Sequence, residues 1–282
     1  MQIEGIGESI LLNDEVMTRT FPFTITYEGE LIYEVVRIID GVPLFWKEHL
    51  ERMIQSLNLM KQDGARIVGE VDSKLRNFIS GSHFKNNNIK IIIGNFDGLA
   101  YEYMAYYIPS FYPDASYYEQ GVKVRTLSHE RQNPNAKVIN NQLTETVAKI
   151  RRDQEVYEIA LVNKDGVITE GSRSNLFFLK DHCVHVSQGH KILKGITMLK
   201  VIELLGALEI DYKEDDVLES ELLAYDACFM TSTSNNVLPI DVIDGQQFDS
   251  AHQPVVKALV DAFAKLIKAD QMQYITNYKE AF

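Results

Sequence analysis

The chain has 282 residues, 45% of them hydrophobic and 24% charged, enough to bury a substantial core in two domains. Its 28 basic and 40 acidic residues leave a net charge of -12, which argues against a nucleic-acid-binding face, since that would need clustered Lys and Arg. The two cysteines, Cys183 and Cys228, form neither a metal spacing nor a disulfide framework, and neither an export signal at Met1-Gln2-Ile3-Glu4-Gly5 nor a membrane-length apolar run is present, so a cytoplasmic protein with no membrane or nucleic-acid partner is expected.

Leu31 to Ile39 is expected as a strand, because Ile32, Val36 and Ile38 alternate with Tyr33, Val35 and Arg37, and Asp40-Gly41 supplies a hairpin turn. Phe45 to Met60 has helical spacing at Leu50, Met53, Ile54, Leu57 and Met60, which assigns Glu48, His49 and Arg52 to the polar sides. A second helix is expected over Val71 to Ile79, then paired strands at Ile89 to Ile93 and Leu99 to Ile108. These elements make an N-terminal α/β sandwich, a sheet with two helices over one face, spanning 1–112. Pro109 to Gln120 breaks the periodicity, which places an interdomain linker at 113–121, with its tyrosines packed on a surface.

The second domain, 122–282, begins with a strand at Val122-Lys123-Val124 and a helix from Gln142 to Arg152. Ile159 to Val162, the Asp165-Gly166 turn, Val167-Ile168 and Asn175 to Leu179 are expected to form a meander. A helix after Gly195 turns Met198, Val201, Ile202 and Leu205 inward. Cys228-Phe229-Met230 is a buried strand ending in Thr231-Ser232-Thr233-Ser234, and Gln253 to Ile267 is a last amphipathic helix. The fold class is α+β with two domains.

Three features of this layout carry chemistry. Lys137 follows the Asn133-Pro134 break and precedes Val138 and Ile139, which could desolvate its amine; in water it would be an ordinary loop lysine. Glu170 ends a strand where its carboxylate could meet a protonated ring nitrogen, or alternatively cap the Gly171-Ser172 turn or pair with Arg173. Gly195-Ile196-Thr197 opens a helix whose free N–H groups could hold a phosphate, with more hydroxyls at Thr231 to Ser234. Arg52 could fork onto the same anion, and no His, Cys, Asp or Glu cluster has metal-ligand spacing. A lysine, an acid and an anion cradle are what a protein supplies to pyridoxal phosphate.

In this order the residues resemble the class IV, fold type IV, pyridoxal-phosphate enzymes: branched-chain aminotransferases, D-amino acid aminotransferases and aminodeoxychorismate lyases. The resemblance rests on Tyr33-Glu34-Val35-Val36-Arg37, Glu48-His49-Leu50-Glu51-Arg52, Lys137 with Asn140, Thr169 to Phe177, Lys194-Gly195-Ile196-Thr197 and Phe229 to Thr233. It implies an N-terminal α/β domain, a barrel-like C-terminal α/β domain, the cofactor between them and a homodimer. It also implies that Lys137 is the imine lysine and base, and that Glu170 partners the pyridine nitrogen. Arg52, Ile196, Thr197 and Thr233, with Ser232 close by, would hold the phosphate, and Tyr33 and Arg37 would line the substrate pocket. Met198, Ser187, Gln142, Lys90 and Glu28 depart from residues usual in relatives, and the Arg-x-His pair of D-amino acid aminotransferases has no counterpart around Gly94 to Gly98. The implied activity is transfer of an amino group between an amino acid, branched-chain ones included, and a 2-oxo acid. Pyruvate-releasing lyase activity and a cofactor-binding homodimer without turnover are the alternatives.

Overall fold

The computed structural model of the chain describes residues 1–96, 99–130 and 137–278. It divides into two compact units, one of Met1–Phe111, Ala136–Ile139 and Ile267–Phe282, the other of Tyr112–Asn135 and Asn140–Leu266. Two segments expected in a C-terminal domain of 122–282, around Lys137 and at the end of the last helix, thus belong to the first unit.

In the first unit a six-stranded antiparallel sheet runs in the order Glu15–Thr18, Ser9–Leu12, Leu99–Ile108, Asn88–Phe96, Tyr27–Ile39, Val42–Pro43. The Asp40-Gly41 hairpin is formed as expected, with φ of 53° and 83° and Ile39 opposite Val42. Along Tyr27–Ile39 the even positions Ile32, Glu34, Val36 and Ile38 are buried, while Tyr33, Val35 and Arg37 are partly open. The buried side joins Ile89, Ile91 and Ile93 to Met53, Leu57, Val71, Leu75 and Phe78 from helices Trp46–Leu59 and Gly64–Gly81. Tyr274, near the end of helix Pro254–Asn277, enters this same core, and Asp270 Oδ2 accepts the Phe45 N–H at 2.7 Å.

The second helix starts seven residues before the apolar periodicity does, because Asp63 caps it by accepting the Arg66 N–H at 3.1 Å. Asp63→Ala removes that acceptor and is expected to lower stability by about 1 kcal/mol, read as a lower urea midpoint with an unchanged slope.

In the second unit a nine-stranded mixed sheet runs Ile168–Gly171, Glu158–Val162, Val122–Ser128, Asn236–Ile243, Ala227–Ser232, Asn175–Lys180, Cys183–Val186, Tyr212–Glu214, with Gln246–Gln247 paired to Asn236–Ile243. The expected meander is only half present. Glu158–Val162 and Ile168–Gly171 form a hairpin, but Asn175–Lys180 pairs with Ala227–Ser232 and Cys183–Val186 instead. The tight Gly171-to-Ser174 turn redirects the chain, the Gly171 N–H donating to the Ser174 carbonyl at 2.7 Å.

Phe177 and Phe229 face each other across that pairing and stack with ring centroids 4.8 Å apart, both fully buried. Leu143 and Val147 of helix Asn141–Asp153 cover Ile159 and Leu161. The segment expected as linker contains a short helix, Ala115–Gln120, capped by Asp114, and its Tyr117 and Tyr118 pack on the core of the second unit.

Candidate functional site

In the first unit Arg52 and His49 do not face solvent. Trp46, His49, Met53, Ser56 and Leu57 share the buried side of their helix with Arg52, and the inward face is rotated from the one the Leu50 and Ile54 spacing suggests. The reason is Glu34, whose carboxylate sits on the covered side of the strand. Arg52 donates to it twice, Nε to Oε1 at 2.8 Å and Nη2 to Oε2 at 2.6 Å, and His49 Nδ1 lies 2.7 Å from Oε2. Exposures of 1%, 8% and 2% for Glu34, Arg52 and His49 make this a desolvated cluster.

Burial opposes ionisation of Glu34, but the Arg52 guanidinium and the hydrogen bonds from Arg52 and His49 outweigh it and hold the carboxyl below the usual range. His49 is pushed down from its ordinary value of 6.5, chiefly by burial, with Glu34 opposing and the charges of Arg52 and Lys137 assisting. Both groups therefore take up protons in the unfolded chain before the folded one. The stability from His49 is present above about pH 6.5 and erodes as pH falls below it, and that from Glu34 erodes as pH falls below about 4.5. Urea unfolding at stepped pH should show His49→Gln abolishing the upper of these two losses.

Lys137 is held beside this cluster by an isolated bridge to the Tyr27–Ile39 strand. Val138 bridges antiparallel to Ile32, the Tyr33 N–H donates to the Lys137 carbonyl at 3.0 Å, and the Ile139 N–H donates to the Leu31 carbonyl at 3.1 Å. The half-buried amine lies 4.9 Å from the centroid of the Tyr33 ring, and Lys90 Nζ is 5.2 Å from the same centroid. Tyr33 and Arg37 are on the open face of the strand, as the alternation predicts. The Asn133 to Ala136 break before Lys137 and the Asp97-Gly98 pair lie outside the described residues. Asn140, just after Lys137, caps the next helix by accepting the Leu143 N–H at 3.0 Å.

In the second unit Glu170, Asn175 and the start of helix Ile196–Ala207 form one set. Glu170 is 3% exposed, and its Oε2 accepts the Leu193 N–H at 3.2 Å. Asn175 Nδ2 donates to the Leu193 carbonyl at 2.8 Å. Gly195 is the N-cap and brings no side-chain cap to the first turn, leaving the N–H groups of Ile196 and Thr197 to an anion. A Cβ at 195 would lie 2.4 Å from Asn175 Oδ1, so the close approach requires glycine. Arg173 is exposed and forms no ion pair among the described residues, and the Ser172 and Ser174 hydroxyls of the turn donate to Glu158.

Thr231 stands opposite Asn175 in the sheet, and its hydroxyl, like that of Ser187, is buried with no hydrogen-bond partner among the described residues. Ser232 and Thr233 are half-buried, in a turn closed by the Asn235 N–H donating to Ser232 Oγ at 3.2 Å. Tyr118 and Tyr157 hydroxyls donate to the Asn235 carbonyl and Oδ1 at 2.9 and 2.7 Å and lock that turn. Met198 is fully buried, and Gln142 and Glu28 are exposed. A cleft of about 290 Å³ lined by Tyr118, Pro239, His252 and Val256 holds none of the candidate residues.

Sequence reasoning missed Glu34, although a carboxylate between Ile32 and Val36 on an inward face was the visible signal, and it missed Glu158 and the Tyr118 and Tyr157 lock. Among the described residues no group of three or more His, Cys, Asp or Glu could hold a metal ion, and no helix is long and apolar enough to cross a membrane.

The family model for amino-transferase class IV matches residues 31–243. A D-alanine aminotransferase of Bacillus licheniformis is 27% identical over 254 residues, 86% of this chain and 89% of that protein. Among solved structures, a branched-chain amino acid aminotransferase of Escherichia coli superposes with a TM-score of 0.80 at 22% identity, covering 94% of this chain and 95% of that one. A T.th. branched-chain amino acid aminotransferase, solved with pyridoxamine 5'-phosphate, gives a TM-score of 0.79 at 19% identity over 97% and 98% of the two chains. These neighbours share the two-domain α+β architecture of fold type IV.

Proposed function

Because the chain belongs to the class IV aminotransferases, we propose that it moves an amino group between an amino acid and a 2-oxo acid with pyridoxal phosphate as carrier. Branched-chain amino acids and D-alanine are the first candidate donors, since the relatives described above are named for one or the other. The observation that carries the reading is the hydrogen-bonded set in the second unit, where the buried acid Glu170 and Asn175 both bond to Leu193, two residues before a helix start with no side-chain cap.

The residues suit that cofactor. A helix start with a bare glycine cap, a neighbouring buried hydroxyl at Thr231 and the half-buried Ser232 and Thr233 make a donor set for a phosphate. When bound, pyridoxal phosphate supplies an aldehyde for the amino group and a ring that accepts the electron pair released at the substrate α-carbon.

In this reading Lys137 would be the residue that anchors the cofactor aldehyde and the base that takes the proton from the substrate α-carbon. The backbone hydrogen bonds of Lys137 and Ile139 to the Tyr27–Ile39 strand hold the segment from which the amine projects. Glu170 holds a proton at the ring nitrogen, which its burial makes a strong interaction. Ile196 and Thr197 N–H groups, Ser232, Thr233 and Arg52 bind the phosphate, and Tyr33 and Arg37 orient the substrate. Replacing Glu170 with alanine is expected to lower kcat by about 10²-fold or more with a smaller change in KM, read from initial rates.

We also read the protein as a cytoplasmic homodimer, supported by the family resemblance and by the two free cysteines. Light scattering at micromolar concentration should give twice the mass of the chain. The activity is tested by single-turnover absorbance with separate L- and D-amino acids and assay of the 2-oxo acid. Stoichiometric oxo acid from one enantiomer is expected. Pyruvate released from aminodeoxychorismate, with no amino transfer to any oxo acid, would replace this reading with the lyase.

A further inference from the structure

Glu158 opens the strand Glu158–Val162 with its side chain only 4% exposed, and among the described residues no cation pairs with it. Its carboxylate accepts three donors: the Ile159 N–H at 2.7 Å and the Ser172 hydroxyl at 2.5 Å, both on Oε1, and the Ser174 hydroxyl at 3.0 Å on Oε2. A buried carboxylate with no counter-ion is a costly way to hold a turn, and hydroxyl and N–H donors must offset its desolvation. What it holds is the short connection between Glu170 and Asn175.

We propose that Glu158 is the positioning residue of the cofactor site, setting through Ser172 and Ser174 the placement of both the acid Glu170 and the phosphate-facing start of helix Ile196–Ala207. The inference rests on the cofactor reading given above. Glu170 and Asn175 flank the turn on either side, one residue beyond each end of the Gly171-to-Ser174 hydrogen bond. Each reaches Leu193, Glu170 at its N–H and Asn175 at its carbonyl, two residues before the helix cap.

The turn has little slack. The Ser172 N–H donates to the Ile159 carbonyl at 2.8 Å, and a Cβ at 171 would lie 2.0 Å from Ser174 Oγ, so Ser174 occupies the space a side chain there would need. A displacement of the turn therefore moves the acid and the anion cradle together. Misplacement of reacting groups by about 1 Å costs on the order of 10²-fold in rate.

The carboxylate suits this task better than an amide. It is an acceptor on both oxygens, which forces both serine hydroxyls to point inward, whereas the NH2 of glutamine would turn one of them away. The Ser172 and Ser174 pair in Glu170-Gly171-Ser172-Arg173-Ser174-Asn175 thus has a partner twelve residues before Glu170.

The test compares Glu158→Gln, Ser174→Ala and Ser172→Ala with the parent chain, measuring pyridoxal phosphate affinity of the apoprotein by fluorescence, kcat and KM separately, and thermal unfolding. Glu158→Gln and Ser174→Ala are each expected to weaken cofactor affinity by at least about tenfold and to lower kcat by at least about tenfold, with the KM of the amino donor within about threefold. Lower unfolding temperatures with affinity and kcat of the folded protein within about twofold would assign Glu158 to fold stability alone and overturn the proposal. If Glu158→Gln does not fold, Ser174→Ala, which removes one hydroxyl, decides by the same criteria. Lys137→Ala and Thr233→Val, which removes a hydroxyl assigned to the phosphate, are measured in parallel and separate the two claims. If neither alters cofactor affinity, the cofactor reading fails; if both do and the Ser174 and Glu158 variants do not, the positioning role alone fails.

Discussion

Lys137→Ala will reduce amino-group transfer by about 10³-fold or more, while leaving the fold intact. Both backbone ties of this segment to the Tyr27–Ile39 strand run through main-chain groups of Tyr33, Lys137, Leu31 and Ile139, which alanine at 137 keeps. Removing the amine therefore removes the chemistry and its contact with the Tyr33 ring while keeping the backbone ties. Positioned proton transfer alone contributes about 10²–10⁴-fold, and the covalent route through the amine is lost as well. Steady-state assay of the variant beside its circular dichroism spectrum checks both halves. Activity within tenfold of the parent would remove Lys137 from the mechanism.

Glu34→Ala is expected to be the most damaging single substitution in the first unit. It leaves Arg52, 8% exposed, without the carboxylate that takes two of its N–H donors, and it strips His49 of the acceptor at Nδ1. Breaking a buried pair by deleting one partner costs about 3–5 kcal/mol. Set against a total stability of about 5–15 kcal/mol, that is a large fraction. Replacing both partners, as Glu34→Leu with Arg52→Met, removes the stranded charge and should be milder than Glu34→Ala alone. Urea unfolding of the single and double variants tests this, and a double variant less stable than Glu34→Ala would show that the pair adds net stability beyond mutual neutralisation.

The Tyr33 and Arg37 face, the Asp40-Gly41 hairpin, the Glu170 strand end and the Gly195 helix start were all legible in the sequence, because each is set by local period or local turn chemistry. The burial of Arg52 and His49 was not. Leu50, Ile54 and Met60 offer a second apolar stripe on the same helix, and a charged side chain is assigned to water unless its partner is known. Here the partner, Glu34, comes from another element eighteen residues away.

The same limit explains the meander. Hydrophobic runs at Ile159 to Val162 and Asn175 to Leu179 identify strands, but neighbours in a mixed sheet are chosen by long-range pairing, and Ala227–Ser232 lies some fifty residues later. The apolar period of helix Pro254–Asn277 stops at Ile267 for a related reason: its last turns are polar on average and are held by Asp270, Gln271 and Tyr274 against the first unit's own residues. Glu158 leaves no local signal, because its three donors come from its own peptide neighbour and from a turn beyond the next strand.

The most direct test of the central claim is borohydride reduction of the protein loaded with pyridoxal phosphate, followed by peptide mapping by mass spectrometry. The predicted result is one stoichiometric phosphopyridoxyl adduct on Lys137. An adduct on Lys90 or Lys194 with Lys137 unmodified would contradict the assignment of the catalytic lysine, and with it the mechanism built on that residue.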